Sequence, residues 1–492
     1  MKIDPLTRRA LLLRGALPAA SLLLGGCGGG GDGGTAADPA SPPASAPAVT
    51  PDPPPPPVTT TPLQRLRAAL QRVPPEVSAS TVSVTQTPGA PALGPTATIL
   101  PGPLGRGTNP NPINLANLSQ VWGWRRDLWT RQTAGLIGTT AANTGWVTPV
   151  SRRHRAATAG SDGVCGLHFV FDGRAFEVLF AGTDAQITLI ADGRYMAPRV
   201  VTQAAGVPLN KPNCYVQFDF GSRATRQVSI YGRSSQGPCA LAIASGDTIQ
   251  PWDRSAEPSF AAMTDSYGGV RGPNWGSSGP FWEAAALLGI PHLDIDAIGG
   301  TGYAPNNATS DTRNPGNAFG ARVAGIVDGA PDLFLTCGSL NDNNSIAAPP
   351  LYASAAEALA AFDAGVVDYY QRLRAALPDS LLVATGPWAP REHVPPDPVA
   401  LSKAATIRAA LQAVGGPWVY LDNLQGGWAN SAGAIGGAGG AWQTGTGTVA
   451  VPTGKGNGDL YVSADGTHPS EAGCQYLARR IADDLRAAIV AM

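Results

Sequence analysis

The carboxyl-terminal half of the chain alternates short apolar runs with longer segments whose apolar residues recur at helical spacing. Short runs of this kind are typical of buried strands. Five strands that alternate with helices predict a parallel sheet covered on both faces, with a ligand site at the carboxyl ends of the strands. The predicted strands cover residues 260–263, 292–297, 333–336, 381–384 and 419–421, and the predicted helices cover residues 281–288, 355–377, 399–414 and 470–490.

Between residues 116 and 250 the apolar positions follow a period of two instead. Asp172-Gly173 interrupts the alternating segment 169–180, and Asp192-Gly193 interrupts the segment 186–195. An Asp-Gly pair between two alternating runs is a strong signal for a two-residue β-hairpin turn. The pattern therefore predicts two hairpins in an all-β module with a sandwich or jelly-roll-like architecture.

The first 27 residues carry the pattern of an export signal. A basic start is followed by an apolar stretch over residues 10–24 and then by Gly25-Gly26-Cys27, which predicts a signal peptide. The last run resembles a bacterial lipobox and implies a lipid on Cys27, while residues 7–11 resemble a twin-arginine export signal. The alternative interpretation of Cys27 is a stray thiol in a glycine tract. The predicted location is the bacterial cell envelope, where the lipid anchors the exported protein to a membrane.

Glycine and proline are concentrated in particular segments. The chain holds 61 Gly and 46 Pro in 492 residues, and residues 28–115 are rich in both. Such a segment has little apolar surface to bury, so it predicts a mostly disordered tether with a stiffer polyproline spacer. A short helix is predicted within residues 62–75.

The charge balance excludes one class of partner. The chain carries 34 Lys and Arg residues against 35 Asp and Glu residues, for a net charge of −1. A nucleic-acid-binding protein shows an excess of positive charge, so we expect no nucleic-acid partner. Beyond the amino terminus, no apolar run reaches the length of about 18 residues that a membrane-spanning helix requires.

Residues that can carry chemistry follow the predicted strands. The first strand is followed by Thr264-Asp265-Ser266, and the second strand is followed by Ile298-Gly299-Gly300. The third strand is followed by Gly338-Ser339-Leu340-Asn341-Asp342, and the last helix is preceded by Asp465-Gly466-Thr467-His468. In order and placement these blocks resemble those of the SGNH (GDSL-like) hydrolase family, which supply Ser, Gly, Asn and His in turn. The resemblance implies a flavodoxin-like three-layer α/β domain. The predicted organisation is a signal peptide over residues 1–27, the tether over 28–115, the β-module over 116–250 and the hydrolase domain over 258–492.

The resemblance assigns a role to each of five residues. Ser266 is the expected nucleophile, His468 the general base and then acid, and Asp465 the carboxylate that orients the imidazole. A serine hydroxyl needs such a base, because it attacks esters too slowly by itself. The backbone N–H groups of Ser266 and Gly300 and the side-chain amide of Asn341 are the expected oxyanion donors. These roles imply a carboxylic ester hydrolase that uses no metal and no cofactor.

Two glycines of the family pattern are absent. Thr264 stands where the family has the Gly of Gly-Asp-Ser, and Ser339 stands where it has the Gly of Gly-x-Asn-Asp. Both substitutions remove a glycine that eases a tight turn, and neither removes a reacting group. Taken singly, each block also has a structural explanation, with Ser266 as a helix cap, Gly300 as a turn glycine and Asn341 as a loop residue.

Five of the six cysteines lie in the two predicted folded domains. An exported protein permits disulfides, so a pair among Cys165, Cys214 and Cys239 is predicted, although the sequence does not select the partners. Cys337 and Cys474 lie in apolar contexts that favour small buried thiols.

A glycine-rich insertion over residues 425–458 separates the last predicted strand from Asp465 and His468. Its position in the chain places it near the expected catalytic site. Trp428 and Trp442 within it either stack on a sugar ring or cover an acyl chain, or they only anchor the loop. A β-sandwich ahead of a hydrolase domain of this family is similar to the layout of several carbohydrate acetylesterases, which favours an acetylated glycan as substrate.

Three functions are compatible with these patterns. The first is an exported serine esterase that removes acetyl or another short acyl group from a carbohydrate. The second is a lipid or polyester esterase. The third is a surface lipoprotein that binds carbohydrate without catalysis, but a binding module has no need for a base beside a hydroxyl.

Overall fold

The structure is a computed structural model that describes residues 60–72, 77–88, 92–93, 129–131, 147–149, 164–180, 186–197, 201–202, 214–233, 238–244, 246–250, 257–268, 279–290, 292–304, 318–327, 330–342, 352–388, 398–424, 447–454 and 458–492. The helices within these residues are α1 (Pro62–Ala69), α2 (Pro280–Leu287), α3 (Phe319–Ile326), α4 (Ala355–Ala376), α5 (Pro398–Ala413), α6 (Gly458–Tyr461) and α7 (Glu471–Ala491). The strands are β1 (Val77–Thr81), β2 (Ser83–Pro88), β3 (Trp129–Arg131), β4 (Val147–Pro149), β5 (Val164–Phe180), β6 (Gln186–Ala191), β7 (Arg194–Ala197), β8 (Val201–Thr202), β9 (Cys214–Arg233), β10 (Pro238–Ile243), β11 (Thr248–Gln250), β12 (Ser259–Thr264), β13 (His292–Ala297), β14 (Leu333–Cys337), β15 (Leu381–Thr385) and β16 (Trp418–Leu421).

Strands β12 to β16 form the parallel part of the main sheet. Their spatial order is β13-β12-β14-β15-β16, which corresponds to the 2-1-3-4-5 order of flavodoxin-like folds. The five strands that the hydrophobic pattern predicts are all present, and the α/β class is confirmed. In such a sheet a ligand binds outside the carboxyl ends of the strands, at the point where the strand order reverses. Here the order reverses at β12, whose carboxyl end leads directly to Ser266.

Helices cover both faces of this parallel part. Along β12, Phe260 and Ala262 pack into one apolar cluster, whereas Ala261 and Met263 pack into another. The first cluster includes residues of α1, α2 and α7, and the second includes residues of α3, α4 and α5. The alternation of side chains along each strand thus gives the predicted three layers. Among the described residues, no helix has the length and apolar character needed to cross a bilayer.

A long antiparallel part continues the same sheet. Strands β5 and β9, of 17 and 20 residues, pair along most of their length, and Val164 of β5 lies opposite Ile295 of β13. Most strands of the predicted β-module therefore belong to the sheet that also carries the parallel strands, while β3 and β4 form a pair of their own. A separate amino-terminal sandwich is not confirmed, and Thr59–Met492 forms one compact unit.

The two Asp-Gly pairs have different structures. Asp192-Gly193 forms the predicted turn between β6 and β7, with φ angles of 50° and 76° that suit a type I′ hairpin. Asp172-Gly173 lies inside the continuous strand β5, so the hairpin predicted there is wrong. A Cβ on Gly173 would lie 2.2 Å from the Phe171 ring and 2.5 Å from the Asp247 carboxylate. This glycine permits a close approach of side chains instead of a turn.

The segment predicted as a tether contains folded elements. The short helix expected within residues 62–75 is α1, which is capped by Thr61 and buries Leu66 and Ala69 in the main core. Strands β1 and β2 follow it and pair with β7 and β9. Burial against distant elements stabilises this segment, although its own apolar content is low.

Candidate active site

Ser266 lies in a tight turn at the carboxyl end of β12 and is half-buried. The Thr264 hydroxyl donates to the Asp265 carbonyl over 2.8 Å and accepts the Gly268 N–H over 2.8 Å. The Asp265 carboxylate accepts the Tyr267 N–H over 2.9 Å. A Cβ on Gly268 would lie 2.3 Å from the Thr264 hydroxyl oxygen, so the glycine that this turn requires stands at position 268. Thr264 therefore replaces the expected glycine with a side chain that itself holds the turn.

Asp265 is buried beneath this turn. Loss of solvent raises the pKa of its carboxyl to about 7, and the nearby Asp342 adds to the rise, while the Tyr267 N–H and the Arg322 guanidinium oppose it. The side-chain amide of Asn341 donates to Asp265 Oδ2 over 3.3 Å. Near neutral pH this carboxyl is therefore present in both its neutral and its ionised form.

Asn341 joins the nucleophile turn to the loop that follows β13. Its Nδ2 atom also donates to the Thr301 carbonyl over 3.1 Å, so both of its N–H groups are used within the protein. Gly300 precedes Thr301 and has a φ of 75°, which glycine adopts without strain. The Thr301 hydroxyl closes the loop by donating to the Ile298 carbonyl over 2.7 Å. The structure thus brings Ser266, Gly300 and Asn341 to neighbouring strand ends.

Ser339, at the second missing glycine, has a strained backbone. Its φ is 80°, a left-handed conformation that costs a residue with a Cβ about 1–2 kcal/mol. The side chain is buried, and its hydroxyl has no hydrogen-bond partner among the described residues. A Cβ on the preceding Gly338 would lie 2.5 Å from the Phe319 ring. The glycine at 338 therefore serves packing, while the conformation that favours glycine falls on residue 339.

Asp342 and Lys403 hold this turn against the rest of the sheet edge. The Asp342 carboxylate accepts the Tyr303 N–H over 3.1 Å and the Ala304 N–H over 2.9 Å. The Nζ atom of Lys403, on α5, donates to the Ser339 carbonyl over 3.2 Å and to the Asp342 carbonyl. Burial raises the pKa of Asp342, although the Lys403 charge and the two N–H donors act against the rise.

A buried ion pair lies under the ends of β12 and β13. Arg322 of α3 donates to Asp296 Oδ1 over 3.1 Å and to the Thr264 carbonyl over 3.1 Å, and both charged side chains are fully buried. It also reaches the Thr301 hydroxyl at 3.4 Å. Removing one partner of a buried pair leaves an uncompensated charge, which is strongly destabilising. Arg322 therefore fixes the two strand ends that carry the site.

Asp465 and His468 form a hydrogen-bonded pair within one turn. The Asp465 Oδ2 and His468 Nδ1 atoms are 2.6 Å apart. Asp465 Oδ1 also accepts the N–H groups of Thr467 and His468, both over 2.9 Å, and the Ser463 hydroxyl over 2.7 Å. Partial burial favours the neutral carboxyl, but these donors outweigh it and lower the pKa of Asp465 below its usual range. The charged carboxylate favours the tautomer of His468 with its proton on Nδ1.

The His468 ring lies against the nucleophile turn. Its centroid is 5.8 Å from that of the Tyr267 ring, and the Tyr267 hydroxyl donates to the Thr467 carbonyl over 2.8 Å. His468 Nε2 is buried and makes no hydrogen bond with any described residue, so the Ser266–His468 hydrogen bond is not formed. Such bonds are often long in the absence of substrate. The structure thus brings the two predicted blocks together through Tyr267.

Sequence reasoning missed three residues of this site. Tyr267, Arg322 and Lys403 each bind a segment that lies far away in the chain. Tyr267 directly follows the expected nucleophile, but no pattern in the sequence indicates its contact with Thr467. Arg322 and Lys403 belong to no local pattern or recognisable spacing.

Other predicted residues have varied outcomes. Cys27, Trp428 and Trp442 lie outside the described residues. Cys337 and Cys474 are buried free thiols, as predicted. No group of three or more His, Cys, Asp or Glu side chains in the described part of the chain is arranged to hold a metal ion. The backbones of Cys165, Cys214 and Cys239 lie in β5, β9 and β10, but their side chains lie outside the described parts. A disulfide among these three cysteines therefore stays a prediction.

Comparisons with known proteins give distant structural similarity only. No protein-family model and no curated protein matches the chain. The fold is similar to that of a carbohydrate esterase family 2 enzyme with a carbohydrate-binding domain from Corynascus thermopiles (Myceliophthora fergusii), at 15% identity and a TM-score of 0.44, over 68% of this chain and 97% of that one.

Two further solved structures resemble the chain to the same degree. A family two carbohydrate esterase from Cellvibrio japonicus has 14% identity and a TM-score of 0.44, over 68% of this chain and 93% of that one. The salicylyl-acyltransferase SsfX3 from a tetracycline biosynthetic pathway has 16% identity and a TM-score of 0.45, over 73% of this chain and 95% of that one. At identities and TM-scores this low, the reaction and the site residues have to be inferred from the geometry of the chain itself.

Proposed function

We propose that the protein is a serine esterase that hydrolyses carboxylic esters. The Asp465–His468 pair beside the turn of Ser266 carries this proposal. A carboxylate on Nδ1 fixes the imidazole and stabilises its protonated form, so Nε2 becomes the basic nitrogen. That nitrogen is buried and has no hydrogen bond among the described residues. Nucleophilic acyl transfer requires a base of this kind near a serine hydroxyl, and the half-buried Ser266 lies in the turn that the His468 block contacts through Tyr267.

In the first half-reaction, Ser266 Oγ attacks the ester carbonyl carbon while His468 Nε2 takes the hydroxyl proton. The Oγ–C bond forms, and the carbonyl π electrons move onto the oxygen. When the tetrahedral intermediate collapses, the bond between carbon and the alcohol oxygen breaks, and His468 returns the proton to the leaving oxygen. Asp465 stays ionised and stabilises the imidazolium.

The oxyanion of the intermediate is bound by the N–H groups of Ser266 and Gly300 and by the amide of Asn341. Asn341 starts with both N–H groups engaged, so it gives up its longer bond, of 3.3 Å to Asp265, when the oxyanion forms. Its bond of 3.1 Å to the Thr301 carbonyl keeps the amide in place. Loss of one donor of this kind costs about 3–4 kcal/mol of transition-state stabilisation.

In the second half-reaction, water attacks the acyl group on Ser266 while His468 takes a proton from the water. The acyl–Oγ bond then breaks, the proton passes to Ser266 Oγ, and the carboxylic acid leaves. These steps use water and side chains of the chain, so the proposal includes no metal and no cofactor.

The proposed substrate is an acetyl or other short-chain acyl ester of a carbohydrate. The glycine-rich insertion over residues 425–458 begins soon after β16, which ends at the same carboxyl edge of the sheet as β12. Trp428 and Trp442 within it have large apolar faces and a polar N–H, a combination that suits a sugar ring. These features support a glycan as the alcohol part of the ester.

We propose that the enzyme lies at the bacterial cell envelope, with a lipid on Cys27 and the glycine- and proline-rich segment that follows it as the leash to the membrane. A lipid chain supplies membrane affinity, and a glycine- and proline-rich leash supplies reach. Cys27→Ser should move the protein from the membrane fraction to the soluble fraction of expressing cells. An unchanged membrane fraction would contradict the anchor.

The test of the reaction compares wild-type protein with Ser266→Ala and with the control Ser222→Ala, which changes an exposed serine of β9. Wild type and control should hydrolyse p-nitrophenyl acetate and take up a fluorophosphonate probe, while Ser266→Ala should lose both. Equal turnover by Ser266→Ala and wild type would overturn the assignment.

The test of the substrate compares the hydrolysis of acetyl, butyryl and octanoyl esters and then of acetylated xylan. A strong preference for octanoyl esters would contradict a short-chain glycan ester as the substrate.

A further inference from the structure

Lys403 is a buried cation outside the predicted catalytic set. It lies on α5, and its Nζ atom donates to the Ser339 and Asp342 carbonyls. The same nitrogen lies 5.3 Å from the centroid of the Phe362 ring. Burial of a lysine is unusual and requires such partners, because an ammonium without them is costly to remove from water.

The two carbonyls belong to the two ends of one turn. The Asp342 N–H donates to the Ser339 carbonyl over 3.3 Å, and Asn341 lies inside this turn. Lys403 therefore bridges the first and last residues of the turn with a single amine. A lysine ammonium has three donor hydrogens and can serve both carbonyls at once.

The turn needs this support because of Ser339. Its φ of 80° is a conformation that glycine adopts freely and serine does not. Its hydroxyl is buried without a hydrogen-bond partner among the described residues, so the side chain adds no contact that would hold the conformation. Without Lys403, serine would favour a backbone with negative φ, and the amide of Asn341 would be displaced.

We propose that Lys403 is a positioning residue for ester hydrolysis, which holds the Ser339–Asp342 turn in its left-handed form and thereby places the Asn341 amide for the oxyanion. This inference rests on the proposed function. Lys403 acts through the backbone of the turn, and the Asn341 amide is the group that contacts the reacting ester. The amide has to exchange Asp265 for the oxyanion without moving the turn, which requires a rigid backbone.

The test removes the donors of Lys403 and keeps the length of the side chain. Lys403→Met should lower kcat for p-nitrophenyl acetate about 10- to 100-fold, since a misplaced catalytic group costs about that much. KM should stay within about twofold. The rate of fluorophosphonate labelling at Ser266 should fall by a similar factor, while the fraction of protein labelled at completion should stay the same.

A second substitution separates positioning from general damage. Ser339→Gly removes the strain that Lys403 opposes, so in the Lys403→Met background it should restore kcat by about threefold or more. Ser339→Gly alone should leave kcat within about twofold. Where Lys403→Met does not fold, Lys403→Gln, which keeps an amide donor, takes its place with a smaller expected loss and the same rescue.

Arg374→Met is the matched control. Arg374 also donates to backbone carbonyls, those of Leu377, Ser380 and Pro417, but these lie at the amino ends of β15 and β16. Its loss should lower the melting temperature and leave kcat within about twofold.

A wild-type kcat in both Lys403 variants would overturn the inference. A loss of activity that appears only as a smaller fraction of fluorophosphonate-labelled protein, and that Ser339→Gly does not rescue, would also overturn it. Failure of the proposed function is distinguishable, because the wild-type protein would then show no turnover that depends on Ser266.

Discussion

Two aspartates of the candidate site, Asp265 and Asp465, respond to the fold in opposite ways. Asp265 is buried, and loss of solvent raises its pKa to about 7. The Asp465 side chain is 47% exposed, and its pKa is lowered because donors from Ser463, Thr467 and His468 outweigh partial burial. Asp265 directly precedes the predicted nucleophile Ser266, and Asp465 binds the predicted base His468. Of the two carboxyls, only that of Asp465 is held in the charged form.

The difference indicates that Asp465 takes part in proton transfer through His468, whereas Asp265 supports the structure of the site. Asp465 is charged at any pH at which His468 acts as a base, so it can orient the imidazole throughout the reaction. Asp265 binds the Tyr267 N–H and the Asn341 amide, and it does so as a mixture of neutral and ionised forms near pH 7. We therefore expect substitutions of Asp465 to act on turnover and those of Asp265 to act chiefly on stability and its pH dependence.

The largest expected effect is that of Asp465→Asn. Asparagine keeps the shape of the side chain but removes the charge and favours the wrong tautomer of His468, so kcat for p-nitrophenyl acetate should fall about 10³- to 10⁴-fold. The control is Asp459→Asn, since the partly exposed Asp459 carboxylate accepts the N–H groups of Thr453 and Gly454. It should leave kcat within about twofold. A loss of less than about tenfold in Asp465→Asn would contradict its assigned role.

The next effect is a pH dependence of stability with opposite signs for the two aspartates. The carboxyl of Asp265 is neutral up to about pH 7 in the folded state, against an ordinary pKa of 3.8. As the pH rises from about 4 to 7, the unfolded chain loses this proton first, so the free energy of unfolding falls by up to roughly 4 kcal/mol. Asp465 contributes stability above about pH 4 that is lost as the pH falls through its lowered pKa.

Urea denaturation between pH 5 and pH 8 measures this dependence. Asp265→Asn mimics the neutral carboxyl and should remove most of the fall in unfolding free energy over that range. Asp368→Asn changes an exposed aspartate of α4 and should leave the fall as in wild type. An unchanged slope in Asp265→Asn would show that its carboxyl is already ionised at pH 5.

The smallest effect is expected at the contact between the two halves of the site. Tyr267→Phe removes the hydroxyl that donates to the Thr467 carbonyl, so the free energy of unfolding should fall by about 1 kcal/mol and kcat by a few-fold. The control Tyr420→Phe removes a buried hydroxyl that has no hydrogen-bond partner among the described residues, and it should change neither quantity. Equal effects of the two substitutions would mean that the hydroxyl of Tyr267 does not dock the His468 block.

Local patterns account for the part of the fold that the sequence predicts correctly. The five parallel strands and the long helices follow from hydrophobic periodicity, and Asp465 reaches His468 because the two residues are three positions apart in one turn. The same reasoning fails for Asp172-Gly173, whose sequence resembles that of the turn at Asp192-Gly193. The outcome there depends on the Phe171 and Asp247 side chains that crowd Gly173, and the turn pattern contains no information about that crowding.

The two positions where the family has glycine show most clearly what the sequence does not predict. The sequence identifies Thr264 and Ser339 as departures but does not say what replaces each glycine. The structure gives two different answers, because Thr264 packs against a glycine four residues later, whereas Ser339 keeps the left-handed backbone and is held by Lys403.

The sequence by itself determined the order of the strands along the chain, the blocks at their carboxyl ends and the pairing of Asp465 with His468, because each depends on residues close together in the chain. Only the tertiary structure decided that Asp265 is buried with a raised pKa and that Arg322, Tyr267 and Lys403 support the site. Burial and long-range hydrogen bonds depend on which distant segments the fold brings together, and no spacing along the chain encodes that.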